Sequence, residues 1–193
     1  MEEFEALKQA FEQDQATVWR EADGHPMKTL IVGLGNPILG DDGVGWRVVE
    51  AVEERLAPPG RVDVTCLSVG GISLMEHLIG YDRVILVDAF SMDAPVGSIS
   101  VLKLSQLPNY SAYHITSIHD TSLQKAMELG REMGAPLPED VIVIGIATER
   151  IHEFSEDLSP PVERVIPCVV NIVLDLLREI SMEEDKGHGH PQG

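Results

Sequence analysis

Three residues that could bind a metal ion lie beside the predicted strands of this chain: Asp42, Asp88 and His119. Asp42 belongs to the glycine-rich stretch GLGNPILGDDGVG, Asp88 follows the apolar run RVILV, and His119 precedes a predicted helix. Two carboxylates and one imidazole suit a divalent transition metal and leave coordination positions open. We therefore take these three residues as a candidate metal site.

The glycine-rich stretch lies between a predicted strand and a predicted helix, where many proteins bind a phosphate. A dinucleotide fingerprint requires three glycines in the pattern GxGxxG, and here Ile38 occupies the third position. Asp41 and Asp42 would repel a phosphate at close range. One of these two acids is expected to cap the following helix, which leaves the other for a cation.

Other catalytic motifs are missing from the sequence. No HExxH is present, and HEF at His152 lacks the second histidine, so a zincin-type peptidase is disfavoured. Cys66 and Cys168 lie in a predicted strand and a predicted helix, without a CxxC pattern, and are expected to be small buried apolar residues. No nucleophile with an attendant base stands out.

The elements that must position the candidate ligands alternate between strand and helix from Lys28 onward. Short apolar or alternating runs predict the strands TLIVGL, RVDVTCL, RVILVDA, GSISVLKL and DVIVIGIA. Helical spacing predicts the helices DGVGWRVVEAVEERL, ISLMEHLIG, DTSLQKAMELGREMG and PPVERVIPCVVNIVLDLLREI, the last kinked or started near Pro167. On the third of these helices, Met133 is expected to share the apolar face with Leu123, Ala126 and Met127.

This pattern predicts an α/β fold: a three-layer sandwich, with a mostly parallel twisted sheet of about five strands and helices on both faces. The carboxyl ends of parallel strands share one edge of such a sheet. Asp42, Asp88 and His119 each follow a predicted strand or precede the next helix, so we expect them to meet at that edge.

Three segments make up the chain: residues 1–26, 27–181 and 182–193. The first is expected to be an amphipathic helical extension that docks either on the core or on a partner. Its apolar residues at helical spacing are Phe4, Leu7, Phe11 and Val18. The last segment, 182–193, belongs to the stretch SMEEDKGHGHPQG, which begins at Ser181 and is expected to be a disordered tail.

Composition excludes several classes of partner. The chain has 193 residues, which suits one domain, and its formal net charge is −18 at pH 7. Nucleic acids and anionic membranes require a basic face, so neither is expected as a partner. The acidic start, the lack of a long apolar run and the two separated cysteines favour a cytoplasmic protein without membrane insertion. Since no heptads appear, we expect a monomer.

Three stretches give the sequence a resemblance to the hydrogenase maturation peptidase family: LIVGLGNPILGDDGVGWRVVEAV, VILVDA and SIHDTSL. The segment GIATERIHEFSEDLSPPVERVIP is also similar to the C-terminal part of that family. The resemblance covers about Met27 to Leu177. It departs from the family in the stretch CLSVGG, which lacks an acid before its glycines, and in the 26 residues before Met27.

The resemblance implies an endopeptidase that removes the C-terminal extension from the precursor of a nickel-iron hydrogenase large subunit after nickel insertion. Its peptidase domain would be residues 27–181. The metal-site and catalytic residues of the family would fall on Asp42, Asp88 and His119, and the nickel would be carried by the substrate. The residues themselves leave the mechanism open: nickel would either polarise the scissile carbonyl or activate water, and one of the carboxylates would serve as general base once the metal is bound.

Two alternatives remain open from the residues. The stretch VGLGNP also resembles the start of peptidyl-tRNA hydrolases, but the Tyr and the His-Asn pair that this family requires are missing. A non-enzymatic nickel-binding maturation factor is the other alternative, because His188 and His190 near the end of the chain could hold nickel or copper. Processing of a precursor distinguishes an enzyme from a carrier.

Overall fold

The computed structural model describes the protein over five ranges: residues 27–56, 62–90, 94–107, 122–149 and 154–187. Three of the sequence predictions lie outside these described residues. They concern the N-terminal extension 1–26, His119, and the histidines of the tail, His188 and His190.

The described residues alternate between strand and helix as the sequence predicts. The strands are β1 (Thr29–Leu34), β2 (Val62–Leu67), β3 (Arg83–Phe90), β4 (Ile99–Lys103) and β5 (Asp140–Ala147). The α-helices are α1 (Val44–Glu53), α2 (Gly71–His77), α3 (Leu123–Glu132) and α4 (Pro160–Gly187). Two short 3-10 turns span Gly40–Gly43 and Leu104–Gln106.

The five strands form one sheet in the order β2-β1-β3-β5-β4. β1 pairs in parallel with β2 and β3, and β3 pairs in parallel with β5. β4 lies at the end of the sheet and runs antiparallel to β5. The mostly parallel α/β fold is therefore confirmed. The carboxyl ends of β1, β2, β3 and β5 share one side of the sheet, which we call the carboxyl edge.

Helices cover both faces of the sheet and make the core two-sided. α1 and α4 pack on one face, mainly through valine and isoleucine side chains. α2 and α3 pack on the other face, mainly through leucine, valine and methionine. Every residue of β1 is buried, as expected for a parallel strand covered on both sides. Among the described helices, none is long and apolar enough to cross a membrane.

The last helix begins at the first residue of its predicted segment and extends beyond the predicted end. α4 begins at Pro160 and continues through Pro167, so Pro167 does not mark its start. Proline suits the first helical turn because the N–H that it lacks has no partner within the helix there. The helix continues to Gly187, beyond the expected boundary at residue 181. The added stretch is rich in Met, Glu and Lys, which favour helix.

The end of α3 also differs from its prediction. Ser122 caps the helix by accepting a hydrogen bond from the Lys125 N–H, in line with the predicted capping run. Met133, which was expected on the buried face, is 79% exposed. It follows the last helical residue, Glu132, so the helical spacing no longer fixes which way its side chain faces.

Candidate functional site

The glycine-rich loop brings the start of α1 against the ends of two strands. A Cβ atom on Gly45 would lie 2.3 Å from the carbonyl oxygen of Leu34 and 2.4 Å from that of Val87. Gly35 has a φ of +124°, and a Cβ there would lie 1.8 Å from the carbonyl oxygen of Asp42. Only glycine allows these approaches, so the loop is folded tightly over the carboxyl edge at β1 and β3.

Asp42 is buried within this loop, with 1% of its surface exposed. Its Oδ2 atom accepts a hydrogen bond of 2.6 Å from the backbone N–H of Asn36. Gly35 and Asn36 thus enclose the carboxylate from the strand side of the loop. A charged hydrogen bond to a backbone N–H fixes the carboxylate in position.

The second acid of the loop, Asp41, binds the start of α4. Its Oδ1 accepts from the backbone N–H of Ser159 at 2.6 Å, and its Oδ2 accepts from the Ser159 hydroxyl at 2.9 Å. The expectation that Asp41 or Asp42 caps the following helix was wrong, because neither α1 nor the 3-10 turn before it has a side-chain cap. Asp41 instead places its charge at the amino end of α4, where a helix favours an anion.

Asp88 lies within β3, two residues before the strand ends, and is fully buried. Its position is one residue beyond the last pair between β1 and β3, and it lies opposite Gly145 of β5. Its Oδ1 accepts a hydrogen bond of 2.9 Å from the N–H of Ala89. A carboxylate is rarely buried in the middle of a sheet without compensating interactions, and Asp88 makes further contacts beyond the one with the Ala89 N–H.

The 3-10 turn that carries Asp42 packs against β3, which carries Asp88, so both residues lie at the carboxyl edge, where the sequence predicted them. The histidine of the predicted trio, His119, lies outside the described residues, and its assignment stays a prediction. Within the described parts of the chain, no group of three His, Cys, Asp or Glu side chains is arranged to hold a metal ion. The two carboxylates are oxygen ligands of the kind that the predicted site requires.

Sequence reasoning missed two serines that hold the loop. The Ser68 hydroxyl, just after β2, donates to the carbonyl oxygen of Gly35 at 2.7 Å. Ser159 holds Asp41 as described above. A signal for Ser159 was present, since a serine directly before the proline pair PP is typical of the residue that precedes a helix. No local pattern predicts the Ser68 contact.

The cysteine nearest to this edge is not suited to be a nucleophile. Burial, together with the nearby charges of Glu50 and Glu53, raises the pKa of the Cys66 thiol to about 11. The thiolate is therefore a very small fraction at pH 7. Cys66 and Cys168 both pack against the core, but they are only partly buried, whereas the sequence predicted buried side chains.

Comparison with known proteins identifies relatives across most of the chain. The sequence profile of the hydrogenase maturation protease family, HycI, matches residues 46–176. The Hydrogenase 2 maturation protease of Escherichia coli K12 is 30% identical over 159 residues, which are 81% of this chain and 94% of that protein. The hydrogenase expression/formation protein HoxM of Azotobacter vinelandii is 29% identical over 150 residues, which are 78% of this chain and 72% of HoxM.

Solved structures agree with this result. The hydrogenase maturating endopeptidase HybD from E. coli superposes with a TM-score of 0.67 at 28% identity, covering 79% of this chain and 93% of HybD. The HycI protease from Thermococcus kodakarensis shares the fold, with a TM-score of 0.60 at 18% identity, covering 79% of this chain and 93% of that one.

Proposed function

The chain belongs to the hydrogenase maturation protease family, and we propose that it removes the C-terminal extension of a nickel-iron hydrogenase large-subunit precursor after nickel insertion. It is a hydrolase, as its relatives are. In this proposal nickel arrives with the substrate and is recognised by Asp42, Asp88 and His119. The protease acts as a cytoplasmic monomer that binds its precursor transiently.

The observation that carries the proposal is the burial of two carboxylates at the carboxyl edge. Asp42 is 1% exposed and Asp88 is fully buried, and both lie where strands of a parallel sheet end. Ligands of open α/β sheets bind at this edge. The nearby thiol of Cys66 is protonated at neutral pH, so the carboxylates are the better candidates for chemistry.

Hydrolysis of the precursor needs one water molecule and a group that takes its proton. Water adds to the carbonyl carbon of the scissile bond, the C–N bond breaks, and the proton reaches the departing amine. One of the two carboxylates takes the proton from water as general base and returns it to the nitrogen. The nickel held by the substrate either polarises the carbonyl or lowers the pKa of the attacking water.

Family membership argues against the peptidyl-tRNA hydrolase alternative and leaves the nickel carrier to an experiment. The relatives are maturation proteases and not peptidyl-tRNA hydrolases. A non-enzymatic nickel carrier would bind metal and leave the precursor uncut, whereas a protease releases the C-terminal peptide. The two are separated by one assay on a nickel-loaded precursor.

The decisive experiment compares cleavage by the full chain and by single variants, with the released peptide measured by mass spectrometry. We expect Asp42→Asn and Asp88→Asn to slow cleavage by about 100-fold or more, as loss of a general base or metal ligand does. Asp63→Asn is the matched control, because Asp63 lies at the other edge, 3.0 Å from Lys28 Nζ. If either site variant cleaved at the wild-type rate, the assignment of that carboxylate to the site would be overturned. If the wild-type chain left the precursor uncut, the proposed function would be overturned.

A second experiment tests metal recognition apart from cleavage. Calorimetry with nickel would use the full chain carrying His188→Ala and His190→Ala, so that the tail cannot bind the metal. Adding Asp42→Ala or His119→Ala to this chain should abolish whatever binding remains. If nickel binding survives both changes, the three residues do not form one site.

A further inference from the structure

Two large apolar side chains lie exposed next to the candidate site. Ile38 is 48% exposed and Phe154 is 87% exposed. The residues that follow them, Leu39 and Ser155, form a parallel β-bridge. In addition, the Ser155 N–H donates to the carbonyl oxygen of Ile38 at 3.1 Å. Ile38 and Phe154 are therefore neighbours and form one surface, which we call the Ile38–Phe154 patch.

This patch is held by the same loop that holds the carboxylate of Asp42. The side-chain oxygen of Asn36 accepts from the Ile38 N–H at 3.2 Å, while the Asn36 N–H donates to Asp42. The Asp42 N–H donates to the carbonyl oxygen of Leu39 at 3.2 Å. The backbone under Ile38 is thus connected by hydrogen bonds to Asp42 on one side and to Ser155 on the other.

Such an arrangement is unusual for a surface that stays in water. Single exposed apolar residues are common, but adjacent ones beside a functional site mark a binding surface. A backbone fixed by hydrogen bonds loses little conformational entropy when a partner binds, which favours affinity. The patch therefore has the properties of a preformed subsite.

The charges around the patch restrict its partner. Glu156 and Asp157, two and three residues after Phe154, are both exposed. One described cation lies close to this stretch, that of Arg47, whose guanidinium donates to the Glu156 carbonyl oxygen at 3.4 Å. With a net charge of −18 on the whole chain, an acidic peptide would be repelled here. An apolar residue with neutral or basic neighbours suits the surface.

We propose that the Ile38–Phe154 patch binds an apolar side chain of the precursor peptide beside the scissile bond. The inference rests on the proposed function, because it assigns a specificity subsite to that protease. The patch and Asp42 share one loop, so a peptide whose apolar side chain covers Phe154 passes close to the carboxylates. The occupant is the substrate, and a second copy of this chain is the competing occupant that the test must exclude.

The test uses the full chain and a nickel-loaded large-subunit precursor from the organism that makes this protein. Variants Ile38→Ser and Phe154→Ser remove the two apolar side chains. Met133→Ser is the matched control, because Met133 is also highly exposed but follows α3, on the other side of the molecule. KM and kcat are measured for cleavage, precursor affinity by biolayer interferometry, and oligomeric state by sedimentation.

We expect Phe154→Ser to raise KM and weaken precursor affinity by about tenfold or more, the effect of losing one buried aromatic contact. The kcat should stay near its wild-type value, because the lost contact is present in both ground and transition states. Unchanged KM and affinity in both patch variants, or a fall in kcat alone, would overturn the subsite.

The remaining outcomes separate this inference from the proposed function. If the wild-type chain leaves the precursor uncut, the proposed function fails. Precursor affinity then tests separately whether the Ile38–Phe154 patch binds the precursor. Affinity lost in Phe154→Ser but kept in Met133→Ser would uphold it. A wild-type dimer that Phe154→Ser converts to a monomer would show that a second copy covers the patch, and would overturn the proposal.

Discussion

The two hydrogen bonds between Asp41 and Ser159 should stabilise the whole fold, and Ser159→Ala tests this directly. The change removes the hydroxyl donor at 2.9 Å and leaves the backbone N–H donor at 2.6 Å. A hydrogen bond to a charged group contributes about 1.5–3 kcal/mol. Because Asp41 is fully buried and Ser159 is 7% exposed, water cannot replace the lost donor. We expect a loss of about 2 kcal/mol in the free energy of unfolding.

Asp41→Ala should cost more than Ser159→Ala, since it leaves two buried donors without their acceptor. Each unsatisfied buried donor costs about 1–3 kcal/mol, which gives about 2–6 kcal/mol for the pair. For a chain of this size, the expected loss of about 2 kcal/mol for Ser159→Ala lowers the melting temperature by about 4–8 °C.

Urea denaturation followed by far-UV circular dichroism measures these differences, with melting temperature as the second readout. Ser105→Ala is the matched control, because Ser105 is an exposed serine. The expected order of stability is wild type and Ser105→Ala together, then Ser159→Ala, then Asp41→Ala. If Ser159→Ala unfolded at the same urea concentration as Ser105→Ala, the anchoring role of Asp41 would be refuted.

Three further predictions concern single positions. Gly35→Ala should abolish cleavage of the precursor and lower the urea midpoint of unfolding, because the added Cβ would lie 1.8 Å from the Asp42 carbonyl oxygen. A variant that still cleaved the precursor would contradict the tight packing of this loop. Cys66→Ser should retain cleavage, since the pKa of its thiol is about 11; a loss of activity in a folded variant would point to a thiol mechanism. Burial raises the pKa of Asp140, and Arg83 only partly offsets this, so the folded state binds the proton more tightly and loses stability as pH rises above about 4. Asp140→Asn cannot lose stability in this way. The difference between its free energy of unfolding and that of the wild type should therefore rise between pH 4 and pH 7. If urea denaturation gave the same difference at both pH values, the raised pKa of Asp140 would be contradicted.

The sequence was sufficient for the fold because local patterns determine it. The apolar run around Ile85 predicts a strand covered on both faces, and β3 lies in the middle of the sheet. A parallel sheet then requires a shared carboxyl edge, which is why Asp42 and Asp88 could be placed together before the structure was known.

The contacts that complete the site could not be predicted in this way. Asp41 and Ser159 are far apart in sequence, and a tertiary hydrogen bond leaves no periodic signal. The start of α4 was equally ambiguous, because Pro160 and Pro167 are both compatible with a helix start and only packing distinguishes them. The exposure of Met133 depends on where α3 ends, which is the least certain part of any helix prediction.

The two hydrogen bonds between Asp41 and Ser159 can form only late in the synthesis of this protein. The two residues are 118 positions apart, so the ribosome has made Asp42 and Asp88 long before it adds the serine that holds the loop of Asp41 and Asp42. Chains are synthesised at about 5–20 residues per second, so the interval lasts several seconds. A nascent chain carries both carboxylates during that interval, but the contact that ties Asp41 to the start of α4 forms only after Ser159 has been added.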